Sequence, residues 1–340
     1  MSDSAMTAPS NALAAKQAQE KSYRKKGIFI ALMSGFLYGG YTAFLTQGMA
    51  SGIWVDYYGG TGVAAGLSAF ALVYTLSAVG AAVNDICSAV WTLIYAAIIG
   101  RLGDFARSIN TKPGRIVILA AIIGRIIYKQ KLTGGMILGI VICFTAAVII
   151  GLFGYGIPEG GLAGIFGNMS GQSVIGIIAA FCAALGWGIE GAVGGYACCM
   201  VDTEVAICIR QCTSGIVNAV ILCSLLSLIG GDGIGSGLAL VGHALADGPS
   251  IWMFFIGGVF ASWSFKFWYK GASMCGAALG MGCNGTYAFW GPLYCLVVCG
   301  LIFGGDGWNI AWPGWVGAIT MVIGIFVLAI SQQKATEKEA

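Results

Sequence analysis

Few side chains in this sequence can do polar chemistry away from water, and their spacing is informative. Asp85 with its neighbour Asn84, Glu190 and Arg210 stand inside otherwise apolar runs. Ionisable groups in such surroundings are costly, so they face a cavity or one another. Arg210, Ser214 and Asn218 are spaced i, i+4, i+8, which puts them on one face of a helix. When Cys87 is aligned with Cys212 and Ser88 with Thr213, Asp85 falls opposite Arg210. Two readings stay open: a buried ion pair that holds helices together, or a site for a substrate or coupling ion. The long Arg210 stem could turn back toward Asp202 or Glu204. It could also point inward toward Glu190 or an anionic substrate group, where a guanidinium offers bidentate recognition. The shared face of Arg210, Ser214 and Asn218 favours the inward direction.

A second set of candidates is aromatic or amide. Asn284, Tyr287 and Trp290 follow at i, i+3 and i+6 just before Gly291-Pro292. A proline there removes a backbone hydrogen bond and frees carbonyls that could coordinate a ligand. Tyr38, Tyr41, Trp187 and Trp263 complete the set, each with core packing as its plain alternative. Catalytic constellations are not legible. The single histidine, His243, is expected in a loop, and no phosphate-binding loop is present. The twelve cysteines lie in or at the ends of apolar runs and read as packing residues, not as metal ligands or a disulfide scaffold. An enzyme is therefore not expected, nor a cofactor, a bound metal or a nucleic-acid partner.

The elements that must position these residues follow from composition. With 58% hydrophobic and 9% charged residues and a mean hydropathy of +0.86, the chain is far from a soluble domain, which carries roughly 25% charged residues. Apolar runs long enough to cross a bilayer as helix occur at 27–49, 134–154, 173–199, 205–229, 250–269, 274–303 and 311–331, with a longer tract at 63–100. No ten-residue alternation marks a β-barrel. The fold class is an all-α integral membrane protein. Residues 1–26 and 332–340 read as polar cytoplasmic tails, the first of them disordered, and no cleaved signal peptide is expected.

Apart from Arg210, every Lys and Arg falls in the N-terminal tail, 101–115, 125–131, 266–270 or the C-terminal tail, while 50–62, 155–172, 230–249 and 304–310 hold none. The positive-inside rule places the first set, and both termini, in the cytoplasm of a multi-pass plasma (inner) membrane protein. GIWVDYYGGTG at 52–62 reads as an interfacial loop, and the segment after it as an N-terminal extension of the second span.

The chain also matches itself. Residues 28–44 correspond to 177–193, with Tyr38 opposite Trp187, and Gly139 corresponds to Gly317 near the end of each half. The repeats are 27–155 and 173–331, and two homologous halves in a membrane chain point to a transporter. The first half is short. Ile251 to Gly317 spans 66 positions and Ile116 to Gly139 only 23, a deficit close to two crossings. The apolar piece 116–128 has basic residues on both flanks and is too short to cross and return, so it is expected to be re-entrant or interfacial. About eight full crossings result. Glycine pairs such as Gly35/Gly39, Gly191/Gly195 and Gly276/Gly280 have the spacing that lets membrane helices approach closely.

The AALGWG stretch at 183–188, FASWSFKFWYKGASMCGAALGMGCNGTYAFWGPLYCLVV and the final GWVGAITMVIGIFVL resemble an EamA-type member of the drug/metabolite transporter superfamily. The resemblance covers 173–331 well and 27–154 partly. It implies two inverted five-helix repeats, ten helices in the intact pattern, around a central cavity. It also implies secondary transport, with export as the expected direction, of a small polar or amphipathic metabolite by alternating access. This sequence departs from the pattern at the third and fourth helices. A degenerate or structural membrane protein is thus the alternative. The expected partners are membrane lipid and a small-molecule substrate, with a homodimer left open.

Overall fold

The computed structural model describes residues 7–113, 115, 133–153, 186–191, 193, 194, 196–305 and 310–339, and the single positions 157, 161, 164, 178, 182 and 183. No strand occurs among the described residues. The elements are α1 (Thr7–Met49), α2 (Ile53–Gly59), α3 (Ala71–Ile98), α4 (Leu102–Ile109), α5 (Gly134–Phe153), α6 (Thr203–Ile229), α7 (Ser236–Ala246), α8 (Gly248–Cys275), α9 (Ala277–Asn284), α10 (Tyr287–Cys295, continuing to Ile302) and α11 (Trp312–Glu339). Residues 186–191 form a further helical stretch. Seven helices are long and apolar enough to cross a membrane among the described residues, α9 and α10 together making one of them. The short piece 116–128 lies outside the described residues, and the eighth expected crossing, 173–199, is described only in part.

Glycine sets the closest helix contacts. α1 lies along α8 and α10, and a Cβ added at Gly39 would stand 2.6 Å from Cβ of Trp290, one at Gly271 2.8 Å from the backbone nitrogen of Ala31. α5 pairs with α11 in the same way: a Cβ at Gly139 would stand 2.8 Å from the nitrogen of Leu328, and one at Gly317 2.7 Å from Ile150. Without a strong hydrophobic drive between helices in lipid, this close packing is what holds them together.

Several expectations change. Residues 52–62 are not a loop throughout. Ile53–Gly59 is helical, and Trp54 and Tyr57 are wholly buried against α3, α7 and α8. The Tyr57 hydroxyl, as a buried phenol usually does, finds a partner and donates to the carbonyl of Leu240 at 2.9 Å, whereas Nε1 of Trp54 has no partner among the described residues. Burial pushes the Tyr57 phenol up to about 12. Asp247 caps α8 by accepting from the backbone N–H of Ser250 and also accepts from that of Ile53 at 3.2 Å, while Asp232 accepts from the N–H and hydroxyl of Ser68, both at 2.7 Å. The expected extension of the second span is real but shorter, since residues 62–64 form a separate 3-10 turn and the span starts at Ala71.

His243 lies in helix α7, not a loop. Nor is the N-terminal tail irregular from Thr7 on: NALAAKQAQEK is composed of strong helix formers, and α1 runs through it. α11 likewise continues through QQKATEKE.

Candidate functional site

Three elements bring the charges together. Asp202 starts α6 by accepting from the N–H of Glu204 at 3.1 Å. Arg210 then falls two turns inside that helix. Asp85 sits near the middle of α3, and Glu190 on the 186–191 stretch. The Arg210 guanidinium donates to Glu190 through Nε at 2.7 Å and Nη2 at 3.2 Å, the bidentate arrangement with the strongest geometry. Its Nη1 meets the side-chain oxygen of Gln211 and stands 3.9 Å from Oδ1 of Asp85. The face of the guanidinium covers the Phe265 ring at 3.8 Å, and the Tyr269 hydroxyl donates to Glu190 Oε1 at 2.9 Å.

Asp85 is held differently. Its Oδ2 accepts from the Ser214 hydroxyl and from Nδ2 of Asn218, the latter at 2.9 Å. Asn218 falls in a π-helical segment, Val217–Leu222, where the helix widens by one residue per turn; such widened turns gather at functional positions. The inward expectation for Arg210 holds. Asp202 and Glu204 take other cations, Arg101 at 3.2 Å and Lys266 at 2.8 Å.

An aromatic wall adjoins the charges. Tyr38 meets Tyr41 at 4.8 Å, Trp187 at 5.4 Å, Tyr287 at 4.7 Å and Phe265 at 6.2 Å between ring centroids. Tyr38 and Tyr41 are close enough to Asp85 and Arg210 to feel their charges. Side chains of Asp85, Glu190 and Arg210 are each 13% exposed, so the cluster is largely withdrawn from the surface.

Two candidates stand elsewhere. Asn284 is buried and accepts from the Ser34 hydroxyl at 3.0 Å, while Ser264 donates to the Ser34 carbonyl at 2.8 Å, so it ties α1 to α8 and α9. Trp290 packs on Phe36 and Phe289 and lines a groove of about 540 Å³ walled by Leu32, Phe36, Ile319 and Phe326, all apolar. The physical reason is the position of the break. It comes at residues 285–286, between α9 and α10, upstream of Pro292, so the regular spacing from Asn284 to Trp290 does not describe one face. Pro292 lies inside α10 and is followed by a π segment, Leu296–Ile302.

Sequence reasoning missed Gln211, Phe265 and Tyr269. Gln211 had a signal, an amide beside an arginine in an apolar run. Phe265 and Tyr269, spaced i, i+4, could not be told from packing aromatics. Lys266 was taken only as a topology marker, yet it pairs with Glu204 under the rings of Tyr95 at 5.0 Å and Trp263 at 4.5 Å. Trp263 therefore belongs to this second charged group. All twelve cysteines are free thiols, and no group of three or more His, Cys, Asp or Glu close enough to hold a metal occurs among the described residues.

Seven helices long and apolar enough to cross a membrane among the described residues, with no strand among them, define an all-α, multi-pass membrane protein. In comparisons with known proteins, no family model matches the chain and no curated sequence matches it significantly.

Proposed function

We propose that this protein is a secondary transporter of a small polar or amphipathic metabolite, working by alternating access in the plasma membrane with both termini cytoplasmic. The observation that carries the proposal is the Asp85, Glu190 and Arg210 cluster, largely buried within apolar helices beside an aromatic wall. Intramembrane ionisable groups of this kind mark substrate or ion pathways.

Pairwise contacts support the inverted-repeat reading, with eight crossings in this chain. Residues that the internal alignment makes equivalent touch each other: Tyr38 with Trp187, Asp85 with Arg210, and Cys143 with Met321, whose carbonyl accepts from the thiol at 3.8 Å. The offset that relates Gly139 to Gly317 also relates Ile150 to Leu328, and Gly139 packs on Leu328 as Gly317 packs on Ile150. Self-contacts and reciprocal contacts are what a two-fold axis produces, and an axis in the membrane plane is the transporter form. This pattern fits the EamA-type drug/metabolite transporter resemblance, which stays part of the proposal together with the shortened first repeat.

A structural, non-transporting protein is the competing reading. The engagement of Arg210 favours it, since Glu190 holds two guanidinium nitrogens, Gln211 takes one N–H of Nη1 and Phe265 covers one face. Reconstitution into proteoliposomes and flux of a metabolite panel separates the two.

A further inference from the structure

α1 and α11 each pack against α9 and α10 but leave a gap between themselves, and this gap is the apolar groove of about 540 Å³ that Trp290 lines. Thr286, at the break between α9 and α10, carries the one hydroxyl among the lining residues. It is spent, donating to the carbonyl of Cys283 at 2.8 Å. Nearly all that remains is alkyl and aromatic surface, which suits a hydrocarbon chain better than a polar ligand.

The groove has a direction. At one end Phe36 meets Trp290 at 5.0 Å and Phe289 meets Trp315 at 6.1 Å; toward the other, Ile28 and Leu32 of α1 share a core cluster with Ile325 and Ala329 of α11. The two helices therefore run antiparallel. Followed past the groove they present Phe29 and Ile330, both exposed, and then Lys25, Lys26 and Lys334. These three lysines are exposed, and none forms an ion pair among the described residues. Residues 18–26 and 331–339 together hold six Lys or Arg against three Glu, so this end is basic on balance. From Lys26 to Phe36 is about 15 Å of helix, half of a hydrocarbon layer roughly 30 Å thick. The groove and the track leading to it thus have the depth of one leaflet, with unpaired positive charge at headgroup level.

We propose that this groove binds an anionic phospholipid, one acyl chain lying between α1 and α11 and the phosphate headgroup held by Lys25, Lys26 and Lys334. Basic pockets between transmembrane helices take anionic headgroups in this way. Charge also selects lipid over a second copy of the chain, because two protomers facing each other across this groove in one membrane would bring their lysines together. The site is separate from the Asp85, Glu190 and Arg210 cluster and does not rest on the transport reading.

The test is quenching of tryptophan fluorescence in the purified full chain in detergent, titrated with phosphatidylglycerol carrying brominated chains and, separately, with brominated phosphatidylcholine. Bromine quenches the tryptophans it touches, and the Trp290→Phe protein identifies the part of the signal that belongs to the groove. Each basic residue near the headgroups is worth roughly fivefold in affinity, so phosphatidylglycerol should quench that part saturably at a lipid fraction roughly tenfold or more below phosphatidylcholine. The preference should shrink in high salt, and the Lys25→Gln/Lys26→Gln/Lys334→Gln protein should lose most of it. Equal quenching of Trp290 by both lipids overturns the proposal and leaves ordinary contact with the bilayer. A preference untouched by salt or by the triple variant also overturns it, since the headgroup is then held elsewhere. No quenching of Trp290 by either lipid does the same, and light scattering then tells a groove covered by a second copy from one that is closed. If Trp290→Phe does not fold, Val322→Phe, which fills the groove, should remove the same saturable part; if the triple variant does not fold, the salt series in wild-type protein decides.

Discussion

Arg210 and Glu190 are joined through two guanidinium nitrogens, at 2.7 and 3.2 Å, and both side chains are mostly buried. Removing one partner of such a pair strands a charge and costs about 3–5 kcal/mol, whereas removing both is far milder. Arg210→Ala and Glu190→Gln should each lower the thermal midpoint in detergent, and the double variant should recover much of the loss, as a double-mutant cycle would measure. Additive losses would mean that the two residues act apart.

α1 and α10 approach so closely at Gly39 that an added Cβ would stand 2.6 Å from Trp290 Cβ and 2.7 Å from its backbone carbon. Backbone must shift to admit it. Gly39→Ala is expected to destabilise by about 1–3 kcal/mol, the range for overpacking. An unchanged midpoint in the thermal scan would show that the helices have room to part.

The phenol of Tyr57 is buried under α7 and is pushed up to about 12 by burial, with the Asp247 carboxylate adding to the effect. A raised folded value means that its share of stability is complete below the unfolded value, near 10, and is lost as pH rises from there to about 12. Wild-type protein should lose stability over that window by roughly 2–3 kcal/mol, and Tyr57→Phe should flatten the loss while costing roughly 1 kcal/mol at neutral pH from the missing hydrogen bond to Leu240. Parallel alkaline profiles for the two proteins would contradict this.

Much of this was legible because membrane helices announce themselves by length and apolarity. The Arg210, Ser214, Asn218 face was readable from i, i+4 spacing, and the equivalence of Asp85 with Arg210 anticipated a contact at 3.9 Å. Short elements were not. Ile53–Gly59 is too brief for its period to register, and its Trp and Tyr content looked interfacial although Trp54 and Tyr57 are interior. Asn284 and Trp290 escaped because a break two residues long changes which side chains share a face; the Asn284-Gly285 pair marks it, but the sequence reading places the break at the nearby proline instead. Which carboxylate holds Arg210 in two hydrogen bonds and which stands at 3.9 Å depends on distances, and spacing along the chain could not tell Asp85 from Glu190.

Topology is open to a direct check. In a background lacking reactive native cysteines, Lys112→Cys and Lys270→Cys should be labelled by a membrane-impermeant thiol reagent only from the cytoplasmic side, and Asp56→Cys and Gly231→Cys only from the other, following the distribution of basic residues. Labelling of Lys112→Cys and Asp56→Cys from the same side would remove the proposed orientation.

Transport itself is tested most directly by flux into proteoliposomes holding the full chain. Uptake or counterflow should be followed for a panel of small amines, amino acids, organic acids and sugars against empty liposomes, with Asp85→Asn beside wild type. The account predicts flux above the empty liposomes for at least one panel member, and its loss in Asp85→Asn protein of normal thermal stability. Folded, inserted wild-type protein that moves none of them would contradict it and leave the charge cluster as a structural element of the bundle.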